Sequence, residues 1–154
     1  MSGTVIIGGG QAALSAVAEL RKRKYDQPII ILAGEAAAPY QRPPLSKAYL
    51  AGELPVDRLW LKPAEWYDKA EIDLRTGVRV TAIDRSACNV ITDTGERIAY
   101  DRLILATGGE ARRLPIPGAD LDGVHVLRTL AETEDLAASF HDARSIAIIG
   151  AGYI

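Results

Sequence analysis

Six residues near the start of the chain, Gly8-Gly9-Gly10-Gln11-Ala12-Ala13, follow the apolar run Val5-Ile6-Ile7 and precede an alanine-rich segment. In this G-x-G-x-x-G/A pattern the first glycine makes a tight strand-to-helix turn. Gly10 lets the backbone approach a pyrophosphate, and Ala13 permits close packing of helix on strand. The helix adds unpaired N–H groups and positive potential, so Gly8, Gly10, Gln11, Ala12 and Ala13 form a candidate anion cradle. Glu35 follows a second apolar run at the spacing, about 20 residues on, where a carboxylate takes ribose hydroxyls. A plain βα turn beside a solvated Glu35 would share the glycines, but not the coincidence of context, spacing and carboxylate. The chemistry indicated is dinucleotide binding.

The fingerprint does not say which dinucleotide. Two further segments bear on that: Tyr40-Gln41-Arg42-Pro43-Pro44-Leu45-Ser46-Lys47, and the turn Ala106-Thr107-Gly108 behind the apolar run Leu103-Ile104-Leu105. The last ten residues, Ser145 to Ile154, read as a second strand and the turn Gly150-Ala151-Gly152, the start of another fingerprint. Cys88 stands alone, which excludes an intrachain disulfide scaffold or a zinc module, and it reads as a small buried hydrophobe. His125 and His141 have no triad or metal spacing, so no metal is expected. Trp60, Trp66 and Tyr67 read as packing residues.

An alternating chain is needed to position these groups. Val5–Ile7 and Ile29–Leu32 are wholly apolar, as strands covered on both faces are, and the helix between them completes a βαβ unit. A Pro-rich stretch from Pro39 to Pro63 contains a short helix candidate over Leu45–Leu50. A helix is expected over Pro63–Ala70 with Pro in its first turn. Thr76 to Tyr100 alternates like an antiparallel meander, turning at Asp93-Thr94-Gly95. Leu103–Ala106 is a buried strand, Pro115, Pro117 and Gly118 mark a linker, Leu130–Phe140 is a helix, and Ile146–Ile149 is a last buried strand. The fold class is therefore α/β, a Rossmann-type parallel sheet with helices and a small meander.

The 154 residues carry 18 Lys plus Arg against 20 Asp plus Glu, a formal charge of -2, with 48% hydrophobic residues. That is the composition of a globular domain able to bury a core without cross-links. The apolar runs fall far short of the roughly 20 residues that span a bilayer. The N-terminus shows no basic leader, and a cytoplasmic location with no membrane partner is expected. The run Arg21-Lys22-Arg23-Lys24 suits a helix C-terminus. Without interleaved aromatics or net positive charge it does not indicate nucleic-acid binding.

YQRPPLSKAYL, the meander, YDRLILATGG and LRTLAETEDL together resemble the N-terminal FAD-binding half of the ferredoxin, putidaredoxin and rubredoxin reductases. These are FAD-dependent, NADH-using flavoproteins of the glutathione-reductase fold, in the pyridine nucleotide-disulfide oxidoreductase superfamily. The resemblance covers essentially the whole chain and implies residues 1–114 as the FAD-binding domain. It makes 115–144 a linker and helix, and 145–154 the opening strand and turn of an incomplete NAD-binding domain. It places the FAD pyrophosphate at Gly8, Gly10, Ala12 and Ala13, and its ribose at Glu35. Arg42 and Pro43 line the FAD path, Val80 meets the adenine through its backbone, Ala106, Thr107 and Gly108 pass the cofactor, and Arg128 contacts it. Lys47 is expected beside the flavin N5, although the residue alone reads more readily as a surface lysine. Gly150 and Gly152 would serve NADH.

The implied activity carries electrons from NADH through FAD to a ferredoxin-type iron-sulfur protein or rubredoxin. The 154 residues by themselves are expected to be inactive. Disulfide reductases of this fold have a redox Cys pair in the first helix, and oxidase relatives have one Cys near Arg42; both places lack Cys here. Two other readings stay open: a flavin-free NAD-dependent dehydrogenase domain, and a non-catalytic nucleotide-binding module.

Overall fold

The computed structural model describes residues 3–141 and 143–150. Contacts divide the chain into two compact units, Met1–Tyr40 with Trp60–Gly108, and Gln41–Leu59 with Gly109–Ile154.

The first unit is built on a parallel sheet of β1 (Thr4–Ile7), β2 (Ile29–Ala33), β3 (Ile72–Thr76) and β7 (Arg102–Leu105), in the order β3-β2-β1-β7. Thr4 stands opposite Ile29 on one side and Arg102 on the other. Helices α1 (Gln11–Lys22) and α2 (Ala64–Lys69) cover one face. There Ile6, Ile29, Ile31 and Ile72 pack with Ala13, Leu14, Val17 and Tyr67. An antiparallel meander of β4 (Val80–Asp84), β5 (Asn89–Thr92) and β6 (Arg97–Ala99) covers the other, where Val5, Ile7 and Leu32 meet Val90 and Ile98. Successive residues of a strand point to opposite faces, so a strand covered on both must be apolar at every position. This is why β1 and β2 read as unbroken apolar runs.

Arg21, in the basic run, anchors this layer. Its guanidinium donates to the carbonyls of Ala70 (2.7 Å), Tyr25 (2.6 Å), Gln27 (3.0 Å) and Glu71 (2.8 Å), tying α1 to the end of α2. Lys22 and Arg23 are exposed, each paired with Glu19. Among the described residues no helix is long and apolar enough to cross a membrane, and no group of three or more His, Cys, Asp or Glu could hold a metal ion.

In the second unit, two 3-10 turns, Pro43–Ser46 and Val56–Arg58, accompany α3 (Leu130–Ser139). Thr129 caps α3 with a reciprocal pair: its hydroxyl accepts from Glu132 N–H and its own N–H donates to the Glu132 carboxylate. The helix packs on the Pro43–Ser46 turn, and Tyr49 donates its phenol to Glu134 at 3.0 Å. Burial, followed by the Glu134 charge and hydrogen bond, raises the Tyr49 pKa above its ordinary value.

Several sequence expectations need correction. The meander, expected from Thr76, begins at Val80, and Ile72–Thr76, which carries no assignment from sequence, is a parallel edge strand. Its outward Arg75 pairs with Asp73 (2.7 Å) and Glu96 (3.1 Å) in place of apolar cover. The expected Leu45–Leu50 helix is a 3-10 turn that starts at Pro43, and Pro63 is the N-cap of α2 and not part of its first turn. Cys88 is exposed at the β4–β5 turn with φ 50°, so it is no core residue. No strand forms at Ile146–Ile149, whose Ile148 is 84% exposed, because no described segment pairs with it.

Tyr67 is 95% buried, its hydroxyl meets no partner among the described residues, and it lines an open cavity of about 290 Å³ with Trp60, Lys62 and Ile72. Burial pushes its pKa up to about 12. Tyr67→Phe removes the unsatisfied group and is expected to stabilise the chain by about 1 kcal/mol. The native chain keeps its phenol proton longer when folded than when unfolded. Its stability therefore falls from near pH 10 to near pH 12, and the variant loses this step. Urea unfolding of both chains at pH 8 and pH 11 checks it: the gap between them must widen at the higher pH.

Candidate dinucleotide-binding site

At the carboxyl end of β1 the chain turns through Gly8, whose φ is +117°. Gly8 N–H donates to Leu32 O (2.8 Å) and Ala106 N–H donates to Ile7 O (2.8 Å), so the ends of β1, β2 and β7 converge there. A Cβ on Gly8 would stand 2.1 Å from Ala106 O, and one on Gly9 2.5 Å from the Ala33 Cβ. Both glycines are demanded by neighbouring protein atoms. Gly10 differs: a Cβ there would meet no atom of the described residues within 4 Å. The open space in front of its backbone is the cradle that the sequence assigned to an anion.

Helix α1 begins directly behind this space. Gly10 is its N-cap, no side chain caps it, and no acidic residue lies in its first turn. The first backbone N–H groups of a helix have no partner inside it, and the aligned peptide dipoles place positive potential there. Gln11 and Ala12 are exposed, whereas Ala13 is fully buried against the sheet. A pyrophosphate fits this donor set, since it supplies the charge and the acceptors that the uncapped turn lacks.

Strand order reinforces the placement. From central β1 the chain passes through α1 to β2 on one side, while the other neighbour, β7, arrives from much later in the sequence. Ligands of open parallel sheets bind at such a switch point, outside the carboxyl ends of the strands. Glu35 lies two residues past β2, half-buried, and its carbonyl accepts from Gly77 N–H at 2.8 Å. Its carboxylate accepts a 2.5 Å hydrogen bond from the hydroxyl of Tyr40. Ala106, Thr107 and Gly108 form the turn after β7, with Gly108 at φ 70°. Val80 opens β4 beside a register shift, two residues after Val78, and Gly77 and Val78 donate to Glu35 O and Ala33 O.

The first unit thus brings Gly8, Gly10, Glu35 and Ala106–Gly108 to one end of the parallel sheet. Arg42, Pro43, Lys47 and Arg128 belong to the second unit. There Arg42 donates to Arg128 O at 2.7 Å, and Arg128 donates to Gly109 O at 2.7 Å. Pro43 opens the 3-10 turn and Lys47 ends it, exposed. Gly150 has φ 116°, whereas Gly152 lies outside the described residues. Two contributors were missed from sequence. Gly9 carried a signal as the middle of a glycine triplet, while the Tyr40 contact with Glu35 carried none.

Residues 2–154 match the family model described as pyridine nucleotide-disulphide oxidoreductase. Rhodocoxin reductase of Rhodococcus erythropolis is 47% identical over 150 residues, 97% of this chain and 35% of its own length. A rubredoxin-NAD(+) reductase of Pseudomonas putida is 38% identical over 97% of this chain and 39% of its own. The solved putidaredoxin reductase, in covalent complex with putidaredoxin, superposes with a TM-score of 0.82 at 35% identity, covering 90% of this chain and 34% of that one. A ferredoxin reductase from Rhodopseudomonas palustris gives 0.86 at 37% identity, covering 92% and 35%. The chain spans about a third of the length of these relatives.

The two glycines predict opposite substitution effects. Gly8→Ala forces a methyl into Ala106 O at positive φ and should cost about 3 kcal/mol or more of stability. Gly10→Ala should change stability by less than about 1 kcal/mol. It should nevertheless weaken a pyrophosphate-bearing dinucleotide, with FAD as the probe, at least about tenfold by filling the cradle. Urea unfolding and FAD titration of both variants check this, and equal stability losses would count against it.

Proposed function

Because the chain belongs to the pyridine nucleotide-disulphide oxidoreductase family, we propose that it is the FAD-binding part of a cytoplasmic, NADH-dependent flavoprotein reductase. Its electron acceptor is a ferredoxin-type iron-sulfur protein or a rubredoxin. The observation that carries this reading is the uncapped N-terminus of α1 behind the open Gly10 backbone, with Glu35 at the end of the adjacent strand. In this division, residues 1–114 bind FAD, 115–144 lead away from it, and 145–154 begin an NAD-binding domain that uses Gly150 and Gly152.

Bound FAD supplies the ability to accept an electron pair from NADH and release electrons singly. This chain's residues hold and tune it. The N–H groups of Gln11, Ala12 and Ala13 hold the pyrophosphate and Glu35 accepts from the ribose hydroxyls. Val80 meets the adenine through its backbone, and Ala106, Thr107 and Gly108 pass the cofactor. Arg42, Pro43 and Arg128 line its path. Lys47 would stand beside the flavin N5, where a fixed cation would favour the negative charge that the ring gains on reduction.

Cofactor identity tests the proposal directly. Denaturing the complete protein and chromatographing the released chromophore should give FAD; FMN, or no flavin after reconstitution, overturns it. Lys47→Met should lower the flavin potential and slow reduction by NADH while FAD stays bound. Spectroelectrochemistry of the variant checks this, and an unchanged potential would return Lys47 to the surface role that the residue alone suggested.

A further inference from the structure

We infer that Tyr40 is a positioning residue that orients the Glu35 carboxylate toward the adenosine ribose, an inference that rests on the ribose role of Glu35. Glu35 is half-buried beyond the end of β2, and its carbonyl accepts from Gly77 N–H. A glutamate side chain has several rotatable bonds, and a contact to a rigid donor narrows the orientations that it samples. Tyr40 has little such freedom. It is 95% buried, its backbone bridges Trp60, its ring meets that indole edge-on at 6.5 Å, and Leu61 N–H donates to the neighbouring Pro39 O at 3.0 Å.

A rigid phenol 2.5 Å from Oε2 of Glu35 sets the plane of the carboxylate. An ionised carboxylate has about four acceptor positions over two oxygens, and the phenol takes one of them. That bond restricts the directions in which the carboxylate can present itself to a ligand that offers hydroxyl donors. A ribose with two adjacent free hydroxyls has that chemistry, and a preset acceptor avoids the ordering loss that binding would otherwise carry. Tyr40 therefore acts on the adenosine end of the cofactor and not on its flavin end.

The test uses the complete flavoprotein stripped of flavin, with Tyr40→Phe, Glu35→Ala and the double variant titrated with FAD and with FMN, which lacks the adenosine. Tyr40→Phe keeps the ring against Trp60 and should unfold at the native temperature. It should weaken FAD about tenfold, the loss of one hydrogen bond to a charged group, and leave FMN affinity unchanged. The double variant should bind FAD like Glu35→Ala alone, because the phenol has nothing to orient once the carboxylate is gone. Additive losses, equal weakening of FMN, or full FAD affinity in Tyr40→Phe beside a weakened Glu35→Ala would each overturn the positioning role alone. Full FAD affinity in Glu35→Ala would overturn the ribose reading together with the inference built on it.

Discussion

Three backbones meet at Gly8 with no room for a side chain. The turn at φ +117° brings β1 against Ala106 O while Gly8 N–H holds Leu32 O, and everything near the cradle takes its position from that crossing. Helix α1 leaves the turn at the angle that buries Ala13, Leu14 and Val17 on the sheet. Glu35 leaves β2 from the same end, and Ala106 to Gly108 leave β7 beside it. Had β1 ended in any residue with a Cβ, the three strand ends could not have stayed in register at this distance.

Burial of the sheet on both faces keeps this crossing rigid. One face carries α1 and α2, the other the meander, and the core side chains of β1 and β2 alternate between two apolar clusters. A close-packed interior resists displacement, so the strand ends cannot drift apart when the turn itself has no side chains to hold it. Arg21 extends the same layer by donating to four carbonyls from loop and helix ends.

The charge pattern divides in the same way. The N-terminus of α1 is left without a capping side chain or an acidic neighbour, which keeps its positive potential available. Helix α3 is instead closed by its own Thr129 and Glu132, whose reciprocal bonds satisfy donors at its start internally. One helix end is thus built to receive an anion from outside and the other is not. The carboxylate that accompanies the open end is in turn tied to Tyr40, so both polar elements of the cradle are preset.

Local pattern determined most of this. Unbroken apolar runs mark strands covered on both faces, and a glycine triplet behind one of them marks a turn where backbone approaches backbone. Together they were enough to read β1, α1, β2, the meander and α3, and to choose Gly8, Gly10 and Glu35; β7 is a strand as expected but not a buried one, since among the described residues it has no cover over Leu105, which is 63% exposed. Elements whose stability comes from distant partners were read less well. Ile72–Thr76 alternates because it is an edge, so its pattern alone does not set it in a parallel sheet, and its pairing with β2 depends on residues some forty positions away. Ile146–Ile149 has the composition of a strand but no neighbour among the described residues to supply the ladder that makes one. Cys88 follows the same logic in reverse, since a hairpin turn exposes it despite its apolar character. The Tyr40 bond to Glu35 depends on a bridge to Trp60 and on the depth of a loop, which no spacing encodes. Sequence by itself determined which groups are present and which segments bury themselves on both faces, because period and composition are local properties. Tertiary structure alone decided which of those groups meet, because a hydrogen bond or a strand ladder exists only where two separate pieces of chain are brought within reach.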